Sequence, residues 1–265
     1  MDDQELRDLI ATLCNNAENE LNERWEAWEK DFAENEVYEV VGGLLARQAS
    51  LFTNMAQSPP MWNWHSSPVI LRTMIDTHIT LAWILEAPLE RSRKFIYFGL
   101  GQMKLEIEHR KRQLEIDGPN DGGQKIIEIY EGWLDSQRWS FLTEVNVGSW
   151  SGLTTREMAD EAGIIDFYNY CFTPFSAATH SQWHHIAKMN LNQCENPLHR
   201  YHRIPAINND HTDIQTLVLV AKYMWKSMDL FDRKLGVSVE VASSYDLLYE
   251  WLSGPDEGEP QVAPE

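Results

Sequence analysis

Residues 67–85 read SPVILRTMIDTHITLAWIL. Ser67 followed by Pro68 is a helix start: a serine able to cap free N–H groups, then a proline whose missing N–H costs nothing in the first turn. Val69, Ile70, Leu71, Met74, Ile75, Ile79, Leu81, Ala82, Trp83, Ile84 and Leu85 leave almost no polar face. A helix that is apolar nearly all round belongs in the middle of a protein. The stretch therefore predicts a central, buried helix over residues 67–87.

Upstream, apolar residues recur at helical spacing over 3–33 (Leu6, Leu9, Leu13, Ala17, Leu21, Trp28) and over 35–57 (Val37, Val41, Leu44, Leu45, Phe52), until Ser58-Pro59-Pro60 stops them. Downstream, Pro88 opens a helix to about residue 116, and Gly118 to Gly123 form a loop before a helix over 124–138. Residues 139–153 are irregular, Thr154 or Thr155 caps a short helix to Ala162, and Gly163 ends it. Residues 164–190 read as helix interrupted or kinked at Pro174, 191–209 as loop, and 211–235 and 241–252 as helices. No strand and no repeat emerges. The expected fold is all-α, a multi-helix up-and-down bundle with additional short helices. It forms a single helical domain over 1–252: long N-terminal helices 3–57, a core bundle 67–235, a C-terminal helix 241–252, then a disordered acidic tail 253–265.

Hydrophobic residues make up 43% of the 265, enough for a sizeable core. Of eleven tryptophans, Trp25, Trp28, Trp83, Trp183 and Trp225 fall in helical segments, where core or interface filling is their expected role. The net charge of −19 argues against free-standing nucleic-acid binding and against docking on anionic membranes, both of which need basic surface. Three widely spaced cysteines, Cys14, Cys171 and Cys194, give neither a disulfide framework nor a paired-cysteine metal knuckle. The start MDDQELRDLI lacks the pattern of a signal peptide, and no apolar run reaches the ~18 residues of a membrane span. A cytoplasmic address is the expectation.

Three polar constellations could carry chemistry. On the apolar helix, Arg72, Asp76 and Thr80 recur every four residues, and a buried charge must be paired. Such a stripe either fixes helix register or lines a cavity. After Pro174, Ser176, His180 and His184 also recur every four residues and would share one helix face. His180 and His184 could hold a divalent metal with His65 or His78 as third ligand; packing histidines are the plainer alternative. Finally, Arg72-x5-His78 falls within the Arg-x4-6-His spacing of HEPN ribonucleases, in which histidine is the acid or base and arginine holds phosphate charge.

Two of these segments also resemble a known family when read together. The Arg72-x3-Asp76 helix is followed about a hundred residues later by YNYCFTPFSAATH, residues 168–180, with a tyrosine and then Ser-x3-His. This order resembles a family of bacterial all-helical proteins described only as a domain of unknown function, over roughly residues 40–230. Its members tend to carry Glu where this chain has Asp76. The resemblance implies that Arg72, Asp76, Ser176 and His180, together with Tyr170, face one another across two helices. Asp76 would then orient Arg72 or His180, Arg72 would hold an anionic oxygen, and His180 would be the acid–base group with Ser176 as helper.

Three functional readings follow. The chain binds or hydrolyses a phosphate-containing substrate, RNA among the candidates, at Arg72, Asp76, Ser176 and His180. Alternatively it is a non-enzymatic protein whose acidic surface serves oligomerisation or a protein partner. In the third reading it is a metal-binding bundle built on His180 and His184.

Overall fold

The computed structural model describes residues 3–118, 120–137, 148–208 and 211–254. The long helices are α1 (Asp3–Ala27), α2 (Asn35–Ala56), α3 (Ser67–Ile84), α4 (Pro88–Asp117), α5 (Asp121–Asp135) and α10 (Gln215–Leu235). Shorter ones are α6 (Thr155–Glu161), α7 (Ile165–Phe167), α8 (Thr173–Thr179), α9 (Trp183–Met189) and α11 (Ser244–Ser253). A π-turn, Tyr168–Phe172, joins α7 to α8. The all-α, multi-helix class read from the sequence holds. The expected acidic tail from 255 onward, residue 138 at the end of the expected 124–138 helix, and residues 139–147 of the expected irregular segment lie outside the described residues.

One correction concerns strands. Within the segment read as loop, β1 (Leu191–Gln193) and β2 (Arg203–Pro205) pair antiparallel with Gln193 opposite Arg203. Three residues a side, without a run of β-branched residues, leave no alternating pattern to read. A second correction is the start of α5. Gly122 and Gly123 belong to its first turn, because the Asn120 side chain accepts a hydrogen bond from Gly123 N at 2.7 Å and caps the helix there.

The chain divides into two compact units. The first comprises residues 1–29, 44–78 and 166–265. Its apolar core includes Leu13, Phe52, Met55, Leu71, Met74, Ile75, Leu217, Met224 and Phe231. Two buried polar networks run through it. Arg24 on α1 grips Asp232 on α10 with three hydrogen bonds of 2.8 to 3.1 Å, and Glu20 accepts from Ser244 N and Oγ on α11 at 2.6 and 2.7 Å. Burial pushes the Glu20 carboxyl up, and the Ser244 hydrogen bonds pull it part of the way back. In the second network, Ser227 on α10 accepts from Gln48 Nε2 on α2 at 2.8 Å, lies 3.0 Å from His78 Nδ1 on α3, and donates to the Tyr223 carbonyl at 3.2 Å.

The second unit comprises residues 30–43 and 79–165. α4 and α5 form a helical hairpin around Leu100, Ile107, Ile127 and Leu134. Of the two candidate caps, Thr154 is the one used, in a capping box: its hydroxyl meets Glu157 N, and the Glu157 carboxylate returns to Thr154 N. Glu161, at the end of that helix, accepts from Trp83 Nε1 at 2.7 Å and Arg91 Nη2 at 3.2 Å, while the Arg91 guanidinium lies 3.8 Å over the Trp83 ring. Trp83 and Trp28 fill core as expected. Trp25 and Trp183, for which core or interface filling was expected, are 45% and 71% exposed and so are not core.

Candidate functional site

α3 presents Arg72 and Asp76 one turn apart, and the Asp76 carboxylate meets Arg72 Nη1 as an ion pair. Arg72 is buried, whereas the Asp76 side chain keeps 44% of its surface open to solvent. The guanidinium carbon sits 3.2 Å from the centroid of the Phe172 ring, the geometry of a cation–π stack. Phe172 in turn stacks on Tyr168, with centroids 4.3 Å apart and planes 25° apart. Both rings come from the π-turn, a device that recurs at functional sites because its extra residue re-aims side chains.

Burial lowers the Arg72 guanidinium to about 10, and Tyr168 pushes it back upward. At that value it stays charged throughout the neutral range. A buried charge normally has its donors satisfied. Here Nε of Arg72 is buried with no hydrogen-bond partner among the described residues, while Nη1 is taken up by the Asp76 carboxylate.

The remaining residues singled out from the sequence are placed differently. Ser176 is half-buried on α8, and His180 is exposed just past its end. Among the described residues, no hydrogen bond or ion pair joins either side chain to Arg72 or Asp76. Tyr170 is 78% exposed; the tyrosine beside Arg72 is Tyr168, two positions earlier. Uniform helical periodicity could not have selected it, since the π-turn changes the phase.

His180 and His184 do not share a helix. α8 ends at Thr179 in a Schellman motif: Ser181 takes a left-handed φ of +49°, Gln182 N bonds Ala177 O at 2.9 Å, and Ser181 N bonds Ala178 O at 3.2 Å. Pro174 lies inside a continuous helical run, and the interruption expected there is the π-turn Tyr168–Phe172, which ends two residues before it. Among the described residues, no set of three ligand atoms within 4.8 Å of one another includes His180 or His184. The two expected third ligands are engaged elsewhere: His65 Nε2 lies 3.0 Å from Asn208 O, and His78 faces Ser227. His185 is held below its usual value by partial burial, then by His65, His184 and Lys188.

His78 is sealed against Ser227 and the Phe167 ring, 4.7 Å away. Burial, reinforced by the Lys226 and Arg233 charges, lowers it to about 3. Arg72 and His78 thus meet different surroundings, and the geometry lends no support to an Arg-x5-His pair acting on one phosphate.

No curated protein and no solved structure matches this chain. One family does, and the matched span takes in Arg72, Asp76, Tyr168, Phe172, Ser176 and His180. The resemblance carried by the Arg-x3-acid and Ser-x3-His motifs holds at the level of the family: over residues 38–197 the chain belongs to the family of unknown function DUF5677.

Proposed function

We propose that the Arg72 site binds a phosphate-containing ligand. The observation that carries this reading is the buried, charged guanidinium whose Nε is left without a hydrogen-bond partner among the described residues. An anionic oxygen entering beside the half-exposed Asp76 meets that donor, and a charge-assisted bond of this kind contributes roughly 1.5–3 kcal/mol. Asp76 holds the guanidinium in place, while Phe172 and Tyr168 give it a flat apolar support. In the hydrolytic form of this reading His180 is the acid–base group and Ser176 its helper, and RNA is among the substrates to test.

Titration calorimetry with inorganic phosphate, pyrophosphate and a short RNA oligonucleotide tests it. Wild type shows saturable binding to at least one probe. Arg72→Lys, which keeps the charge but not the guanidinium geometry, weakens that binding at least ~10-fold. Unchanged binding in a folded Arg72→Lys protein, or no binding up to ~10 mM of any probe, sinks the reading.

A second reading, an interaction or self-association protein, is favoured by the large apolar side chains exposed in one stretch of chain. Tyr170, Trp183, Leu198, Tyr201 and Ile207 all stand in solvent, Ile207 at 97%. Light scattering that finds an inert monomer across concentration counts against self-association there.

A further inference from the structure

We propose that Cys194, His199 and His202 bind one zinc ion at the tip of the β1–β2 hairpin. Their ligand atoms all lie within 4.8 Å of one another. The spacing is Cys-x4-His-x2-His, and no single helix or strand could bring those positions together. The hairpin register does so. Gln193 and Arg203 form the last rung of the ladder, so Cys194 and His202 oppose each other as the next pair, and Cys194 N donates to His202 O at 3.0 Å. Directly opposed residues of an antiparallel pair project to the same face.

The intervening loop then folds back to deliver His199. His199 N bonds Asn196 O, and His202 N bonds His199 O, each at 2.9 Å. The Asn196 side chain accepts from Leu198 N at 3.0 Å, and its amide nitrogen lies 3.3 Å from His199 Nε2. The other ring nitrogen, Nδ1, is left 3.7 Å from Cys194 Sγ. Zn–S and Zn–N bonds of about 2.3 and 2.05 Å at the tetrahedral angle separate sulfur from nitrogen by about 3.6 Å. The cysteine and histidine therefore already stand at coordination distance, set by backbone hydrogen bonds.

The donor set suits zinc. A thiolate and two neutral imidazoles are its usual ligands, and they leave one unit of positive charge on the complex. His199 and His202 are exposed, so a water molecule takes the fourth position. The site is separate from Arg72 and does not depend on the phosphate reading.

Metal-free full-length protein without a histidine tag should take up one equivalent of Zn²⁺ in competition with a chromophoric chelator. Cys194→Ser and the double variant His199→Ala/His202→Ala should each weaken binding by at least ~10-fold with an unchanged circular dichroism spectrum. Arg72→Lys should bind zinc as wild type does. Co²⁺ loading should produce a thiolate-to-cobalt absorption band that Cys194→Ser abolishes. Absence of stoichiometric binding overturns the proposal. So does binding that survives in both variants, since the ion would then sit on other histidines.

Discussion

Burial overrides the ordinary chemistry of an imidazole at His78. Ser227 gives its proton to the Tyr223 carbonyl and accepts from Gln48, which leaves it a lone pair for His78 Nδ1–H. The ring is neutral in the native state, with a value of about 3 against an ordinary ~6.5. The unfolded chain takes up a proton below ~6.5 and the folded chain does not until about 3. The stability that this ring contributes is thus fully present above ~6.5 and is lost as the pH falls toward 3. His78→Gln can still reach Ser227 but cannot titrate. Denaturant unfolding between about pH 7 and pH 4.5 should show a shallower loss of stability in His78→Gln, by up to ~1.4 kcal/mol per pH unit. Equal slopes would mean that water reaches the ring. Arg72 and Asp76 were legible because a charge on an apolar helix is conspicuous. The neutrality of His78 was not, since nothing local tells a sealed histidine from a site histidine.

Secondary-structure elements were legible wherever periodicity ran long. α1 to α4 and α10 emerge from the spacing of their apolar residues, and Thr154 and Gly163 punctuate α6 as their chemistry requires. Gly163 ends α6 in the same Schellman arrangement that Ser181 adopts after α8, with Ile164 N on Ala159 O at 2.8 Å. Glycine adopts that conformation freely, whereas a residue with a Cβ is strained by roughly 1–2 kcal/mol, partly offset because glycine loses more entropy on folding. Ser181→Gly should therefore stabilise the protein by up to about 1 kcal/mol in equilibrium denaturation. A loss would show that the serine side chain holds something a glycine cannot. This break went unseen because serine is a weak stop signal, while the proline seven residues earlier is a loud one. The hairpin ligands escaped for a related reason: pairing across β1 and β2 brings them together, and a count along the chain does not.

At the scale of the whole molecule, charge is the feature read most directly. Forty-one acidic residues against 22 basic ones leave −19, and several of the exposed ion pairs are local i,i+4 contacts such as Lys94–Glu90 and Arg233–Asp229, which contribute little. Self-repulsion should outweigh them. Raising salt from about 0.02 to 0.3 M shortens the screening length from roughly 20 to 6 Å, and the melting temperature should rise by about 2 °C. A fall would show that the surface pairs dominate. The π-turn, finally, bears on how relatives of this chain are compared. Its additional residue amounts to a one-position insertion, so a family member shorter by one between residues 168 and 172 would run straight through in α geometry. Everything before that gap would rotate by about 100° against everything after it, and a different side chain would face the arginine. Column-by-column identity at Tyr168 would then conceal two different sites under one family name.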